Sequence, residues 1–260
     1  MKPLLALYLK ELRDYRNLIL ILVVATVALN VYAHWEVDLD KLAELRGPPH
    51  QALALVLLIL PGLPVLLFTV IPAFVLAHSF SSEEQANNHY LLFSLPVPKY
   101  VVGVCKILAI LTLGAGLFAV STGAVSLLLW RILEHPDVVR DGFRVVMGNL
   151  WLYAGQVHLA VVVLLLGMVT GMEGLKFAVR RARRTITIGS FAVSCYLYAK
   201  LMRPATGALD FLAGHEIPLM VGDEWVKSAP MPLPWVAYTV LAGVAFAALG
   251  LMLYEKYVEI

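Results

Sequence analysis

Two adjacent carboxylates, Glu83 and Glu84, stand in the stretch HSFSSEEQANNHYLLFSLPVPKY at 78–100, beside two histidines and three amides and between two apolar runs. Paired carboxylates are the groups of acid–base and metal chemistry. One class of intramembrane protease carries Glu-Glu-x-x-x-Arg, but here the sixth position is Asn88 and no arginine supplies the partner charge. The Gly-x-Ser-x-Gly elbow of serine hydrolases is absent. So is the Gly-x-x-x-x-Gly-Lys-[Ser/Thr] loop, so this chain is not expected to cradle ATP phosphates, and ATP-driven work would have to come from a partner.

Seven histidines raise the question of haem or metal. A bis-histidine haem needs imidazoles facing each other at one depth. His158 lies well inside an apolar block, whereas His34, His78 and His89 sit near block ends and His50, His135 and His215 fall in connecting segments. There is no His-x-x-x-His pair. His158, with Gln156 nearby, is a polar position inside a span and so a functional candidate by default, though an interhelical hydrogen bond explains it equally well. Cys105 and Cys195 both lie in apolar blocks, so no disulfide framework is expected, and no metal or bound cofactor is expected on this chain.

The elements that must position these residues follow from composition. Of 260 residues 60% are hydrophobic and 15% charged, with a mean hydropathy of +0.81. Six apolar blocks, at about 18–35, 52–78, 101–129, 150–172, 186–203 and 235–254, are each about long enough to cross a hydrocarbon core of about 30 Å. The expected fold is an all-α integral membrane protein, a single transmembrane domain over 1–260 with six transmembrane helices. A cleaved leader is the rival reading of the first block, which follows Lys2, Lys10, Arg13 and Arg16; a retained span is expected. With the N-terminus cytoplasmic, twelve of the twenty Lys and Arg fall on the inner side, including Lys99, Lys106 and the run Arg180, Arg181, Arg183, Arg184. That excess favours both termini in the cytoplasm of a multi-pass plasma membrane protein, in a bacterial or archaeal inner membrane.

Residues 2–16 place Leu5, Tyr8, Leu9, Leu12 and Tyr15 at helical spacing, with Lys10, Glu11, Arg13 and Asp14 on the other side. An amphipathic helix lying in the inner interface fits. The second block, with Pro61, Pro64 and Pro72, should tilt, kink or protrude. The third carries Gly103, Gly114, Gly116 and Gly123, expected to allow close helix packing. The basic segment at 172–185 suits anionic headgroups rather than nucleic acid. Segment 204–234, with five prolines and apolar pieces, is expected to form short surface or re-entrant helices on the outer side.

In the opening stretch, Ser81 or Ser82 is placed to cap a helix with Glu83 and Glu84 in its first turn. Tyr90, Leu91, Leu92 and Phe93 form its apolar stripe, and Leu95-Pro96-Val97-Pro98 ends it. With Glu84, Leu91, Leu92, Leu95, Pro96, Val97, Lys99, Gly103 and Lys106 in this order, the stretch resembles the membrane subunits of ATP-binding-cassette exporters of the second permease type. Asn87-Asn88 departs from the Gly and small or acidic residue of many relatives. The resemblance implies a cytoplasmic coupling helix between spans two and three, docked by Glu83, Glu84, Tyr90, Leu91, Leu92 and Phe93 into a groove of a separate ATPase. It also implies two such ATPase subunits, which carry ATP and Mg, and a second permease subunit, identical or homologous.

The reading that follows is a non-enzymatic transporter permease. Its path would be lined by residues such as Asn30, Thr69, Ser194 and His158, with a hydrophobic or amphipathic cargo. The alternative is a six-helix membrane enzyme or haem-bearing redox subunit using His158 and the outer acidic residues.

Overall fold

The structure is a computed structural model that describes residues 2–36, 48–85, 98–133, 140–179, 183–214, 216–220, 226–230 and 232–257. Helix α1 (Lys2–Asp14) is followed after one residue by α2 (Arg16–Glu36). Then come α3 (Pro48–Gln85), α4 (Lys99–Leu133), α5 (Arg140–Ala178), α6 (Arg183–Ala208) and α7 (Leu233–Tyr257). Five of these, α3 to α7, contain stretches long and apolar enough to cross a membrane, and the pair α1–α2, bent by 50° at Tyr15, makes a sixth if counted as one span. The protein is thus a helical, membrane-embedded bundle, as its apolar runs predict.

α3 is one continuous helix of 38 residues, which at 1.5 Å per residue reaches about 57 Å, well beyond a bilayer core. Its prolines do not break it. Pro72 is buried, and its ring fills the space a side chain at Gly114 of α4 would need, 3.0 Å from where a Cβ would stand. From α3 to α7 successive helices alternate in direction, which brings the C-terminal ends of α3, α5 and α7 beside the N-terminal part of α4. There Leu76 and Phe80 of α3, Ile110 of α4, Leu166 and Val169 of α5 and Tyr254 of α7 form the core, with Tyr15 packed against it. The Tyr254 ring takes the edges of Phe80 and Phe177 at 5.8 and 5.1 Å between centroids.

The closest helix approach is between α5 and α7, and glycine makes it. A Cβ on Gly243 would stand 2.6 Å from the carbonyl oxygen of Val163, and those on Gly167, Gly174 and Gly250 would overlap the backbone at Gly243, Gly250 and Thr170. With little hydrophobic drive between helices in lipid, such backbone contact and its dispersion energy hold them together. The glycines expected to pack, those of α4, divide. Gly103 and Gly114 face Leu251 and Pro72, whereas Gly116 and Gly123 have nothing within 4 Å among the described residues.

α6 is attached differently. None of its described residues is buried, and Ile188, Val193 and Tyr196 are more than half exposed. It is tied to α7 by a tyrosine clasp, in which the Tyr238 hydroxyl donates to the Tyr198 carbonyl at 2.6 Å and the Tyr198 hydroxyl meets Thr239 Oγ1 at 2.9 Å. The two rings stack at 5.2 Å.

Segment 204–234 differs from the expected surface helices. α6 runs through Pro204 to Ala208, a 3-10 turn covers Asp210–Leu212, and Gly214 turns with φ 122°. An antiparallel hairpin follows, β1 (Glu216–Met220) with β2 (Val226–Pro230), pairing Glu216 with Pro230 and Pro218 with Ser228. In a two-stranded ribbon both strands are edges, which is where Pro218 and Pro230 are tolerated.

Candidate functional site

The chemistry-bearing side chains gather at two levels of the bundle. The first lies beside the core just described, around Lys106 of α4. Its ammonium is 1% exposed, donates to Glu11 Oε1 of α1 at 3.0 Å and to Ser79 Oγ of α3 at 2.8 Å, and so joins three helices. Glu11 is also buried and takes a second cation, half-exposed Lys10, at 3.3 Å. Taking a carboxylate and an ammonium out of water costs several kcal/mol per ion, and removing one partner of such a pair typically costs about 3–5 kcal/mol because the other is left charged and buried. The register of α1 on α4 is therefore strongly specified. Glu173, buried in α5, holds Lys176 at 3.2 Å one turn on.

This arrangement corrects the expected faces of α1. Glu11 is not on a solvated side with Lys10, Arg13 and Asp14, but 2% exposed against Lys106. Leu7, outside the expected stripe, packs on Val102 and Cys105 of α4. Of the expected stripe, Tyr8, Leu12 and Tyr15 are half-buried, with the Tyr8 hydroxyl donating to Thr112 at 3.0 Å. Leu5 and Leu9 are more than half exposed. α1 is apolar on two sides because it lies between the bundle and whatever surrounds it.

The serines expected to cap a new helix do not do so. α3 continues through Ser81, Ser82, Glu83 and Glu84 to Gln85, and the Ser82 hydroxyl donates back to the Ser79 carbonyl at 3.1 Å, inside the same helix. Glu83 and Glu84 thus belong to the end of α3 rather than to the first turn of a separate helix. Tyr90, Leu91, Leu92 and Phe93 lie outside the described residues.

The second level is ten or more residues along each helix from the first. Thr69 Oγ1 of α3 meets His158 Nδ1 of α5 at 2.9 Å, and the imidazole stacks on Phe118 of α4 at 4.0 Å and 19°. Thr69 can at the same time donate to the Val65 carbonyl at 3.1 Å, which would leave its oxygen to accept from a His158 Nδ1–H. His158 is buried, and among the described residues no three His, Cys, Asp or Glu side chains converge on a common point. Asn30, also buried, bonds within its own helix, Nδ2 to the Thr26 carbonyl at 2.8 Å, and its Oδ1 has no partner among the described residues. The proposed path residues are therefore not one cluster. Thr69 and His158 meet, but α2, which carries Asn30, packs on α3 and α4, while α6, which carries half-buried Ser194, packs on α5 and α7.

Sequence reasoning placed Lys106 among the inner basic residues and in the run that resembles the exporter permeases, put Glu11 on the polar side of the N-terminal helix, and gave Ser79 no role. The available signal was a lysine well inside an apolar run, a position in which an ionisable group nearly always has a partner. Comparisons of the chain with protein-family models, with curated proteins and with solved structures returned no match.

Proposed function

We propose that the chain is the membrane-spanning subunit of an ATP-binding-cassette exporter, with six spans counting α1–α2 as the first. The end bearing Lys106 is cytoplasmic, and segment 86–97 is the coupling element to separate ATPase subunits. The observation that carries this reading is the convergence at one end of the bundle of the two helix ends that flank segment 86–97 and the N-terminal helix, all joined at Lys106. A force applied to that segment meets a helix end anchored by a buried charge. The same end carries the larger share of Lys and Arg, as a cytoplasmic face should. ATP and Mg belong to the partner ATPases, and a second permease subunit completes the assembly.

Packing should dominate docking of the segment. A buried Leu or Phe contributes about 1.5–3 kcal/mol, and an exposed ion pair about 0–1 kcal/mol. Leu92→Ser or Phe93→Ser is expected to weaken copurification of the ATPase by tenfold or more, whereas Glu84→Gln keeps assembly and disturbs the coupling of hydrolysis to substrate. Wild-type copurification of both apolar variants would reduce the segment to a connector. For the rival redox reading, the free position on His158 is Nε2, since Thr69 engages Nδ1. A visible absorption spectrum with stoichiometric haem would overturn the permease reading.

A further inference from the structure

Ser79 stands near the end of α3 and Lys106 near the start of α4, the helices that enter and leave segment 86–97. Glu11 is on α1, which packs along α4 through Leu7 on Val102 and Cys105, with Cys105 Sγ 3.8 Å from the Leu4 carbonyl. At Tyr15 the chain bends by 50° into α2, and the hydrogen bond from Tyr15 N to the Glu11 carbonyl is stretched to 3.4 Å. α1 is thus hinged at one end and fastened to α4 along its length. On the far side α5 and α7 are in backbone contact. Between α4 and that pair lies an apolar cleft of about 370 Å³, lined by Ile107, Leu111, Leu166, Gly243 and Ala247 among others.

We propose that Glu11 is a positioning residue that, through Lys106 and Ser79, locks α1 and the inner ends of α3 and α4 into one lever. The lever moves against the α5–α7 pair when segment 86–97 is displaced, and the cleft beside α4 supplies the room. A charge pair suits this task better than apolar contact. Sliding α1 along α4 would strand a desolvated charge, so the register is held or lost as a whole rather than creeping. The lock itself stands on the geometry alone; its role in coupling rests on the exporter reading.

The test separates the two. In a Cys195→Ser background, Cys105 is the remaining thiol, covered by α1. Its alkylation by a small maleimide in lipid nanodiscs, and amide exchange over 4–14, report whether α1 is fastened. Glu11→Gln is expected to raise both by tenfold or more, and Ser79→Ala, which removes a single oxygen and should fold normally, by a smaller factor. No change in either variant overturns the lock. Coupling is read next, as substrate transport per ATP hydrolysed by the complex with its ATPase. Glu11→Gln should lower that ratio at least fivefold, and adding Leu7→Cys and bridging it to Cys105 with a short bifunctional thiosulfonate should restore it until the bridge is reduced. A wild-type ratio in Glu11→Gln, or no restoration by the bridge, overturns the lever. If no ATPase copurifies with the unaltered chain, the exporter reading and with it the lever fail, while thiol reactivity and exchange still decide the lock.

Discussion

Replacing glycine by alanine should have opposite effects at two places in this bundle. At Gly243 an added Cβ would stand 2.6 Å from the Val163 oxygen, with Leu164 Cα at 2.8 Å. Comfortable contact is about 3.5 Å, so α5 and α7 must part by about 1 Å, a gap that forfeits roughly a quarter to a half of the dispersion energy across the seam. Overpacking of this kind costs about 1–3 kcal/mol. Against this, alanine gains about 1 kcal/mol over glycine in a helix. Gly243→Ala and Gly250→Ala should each destabilise by up to about 2 kcal/mol net, and more together. At Gly116 and Gly123, with nothing within 4 Å, the same substitution leaves only the helix gain. Heating the detergent-solubilised protein and measuring the monodisperse fraction by size-exclusion chromatography should show Tm falling for the first pair and holding or rising for the second. A rise at Gly243, or equal falls at all four positions, would refute a backbone-contact seam.

Three further outcomes are expected. Single cysteines at Gln85 and Arg181 should resist a membrane-impermeant thiol reagent in intact cells while one at Asp223 labels; labelling at position 85 would invert the topology. Exchanging residues 210–219 for a Gly/Ser linker of equal length removes β1 and its pairing with β2, and should impair substrate release without affecting ATPase copurification; unchanged export would make the hairpin a connector. Tyr238→Phe keeps the ring stack but loses the 2.6 Å bond to the Tyr198 carbonyl, worth about 0.6 kcal/mol in a bilayer, so amide exchange in α6 should rise about threefold, and an unchanged rate would show that the clasp does not hold it.

Long apolar runs made the spans legible, because a bilayer admits few other structures for them. What the sequence hid was pairing. A helical wheel puts Glu11 with Lys10, Arg13 and Asp14, and its burial depends on Lys106, 95 positions away. By contrast, Gly167 and Gly171 stand at the Gly-x-x-x-Gly spacing of closely packed membrane helices, which the α4 glycines lack, so that signal was there to be read. Which set meets backbone is decided by where α7 crosses. Ser82 fits an N-cap and a mid-helix position equally well, and the hydroxyl bond back to Ser79 is local in either case. The hairpin strands are five residues each with a proline in both, too short and interrupted for a period-two signal to stand out.

The tyrosine clasp has a consequence for the order in which the protein is made. Both of its hydrogen bonds join α6 to residues about forty positions later, 40 and 41 along the chain. At a synthesis rate of about 5–20 residues per second, those partners are made roughly two to eight seconds after Tyr198. For that interval the least apolar of the five long spans, with a mean hydropathy of 1.2, lacks the clasp and packs only on the helices already made, chiefly α5. The attachment of α6 is therefore built in two stages, first on α5 and then, once the last span arrives, through the Tyr238 and Thr239 hydroxyls of α7.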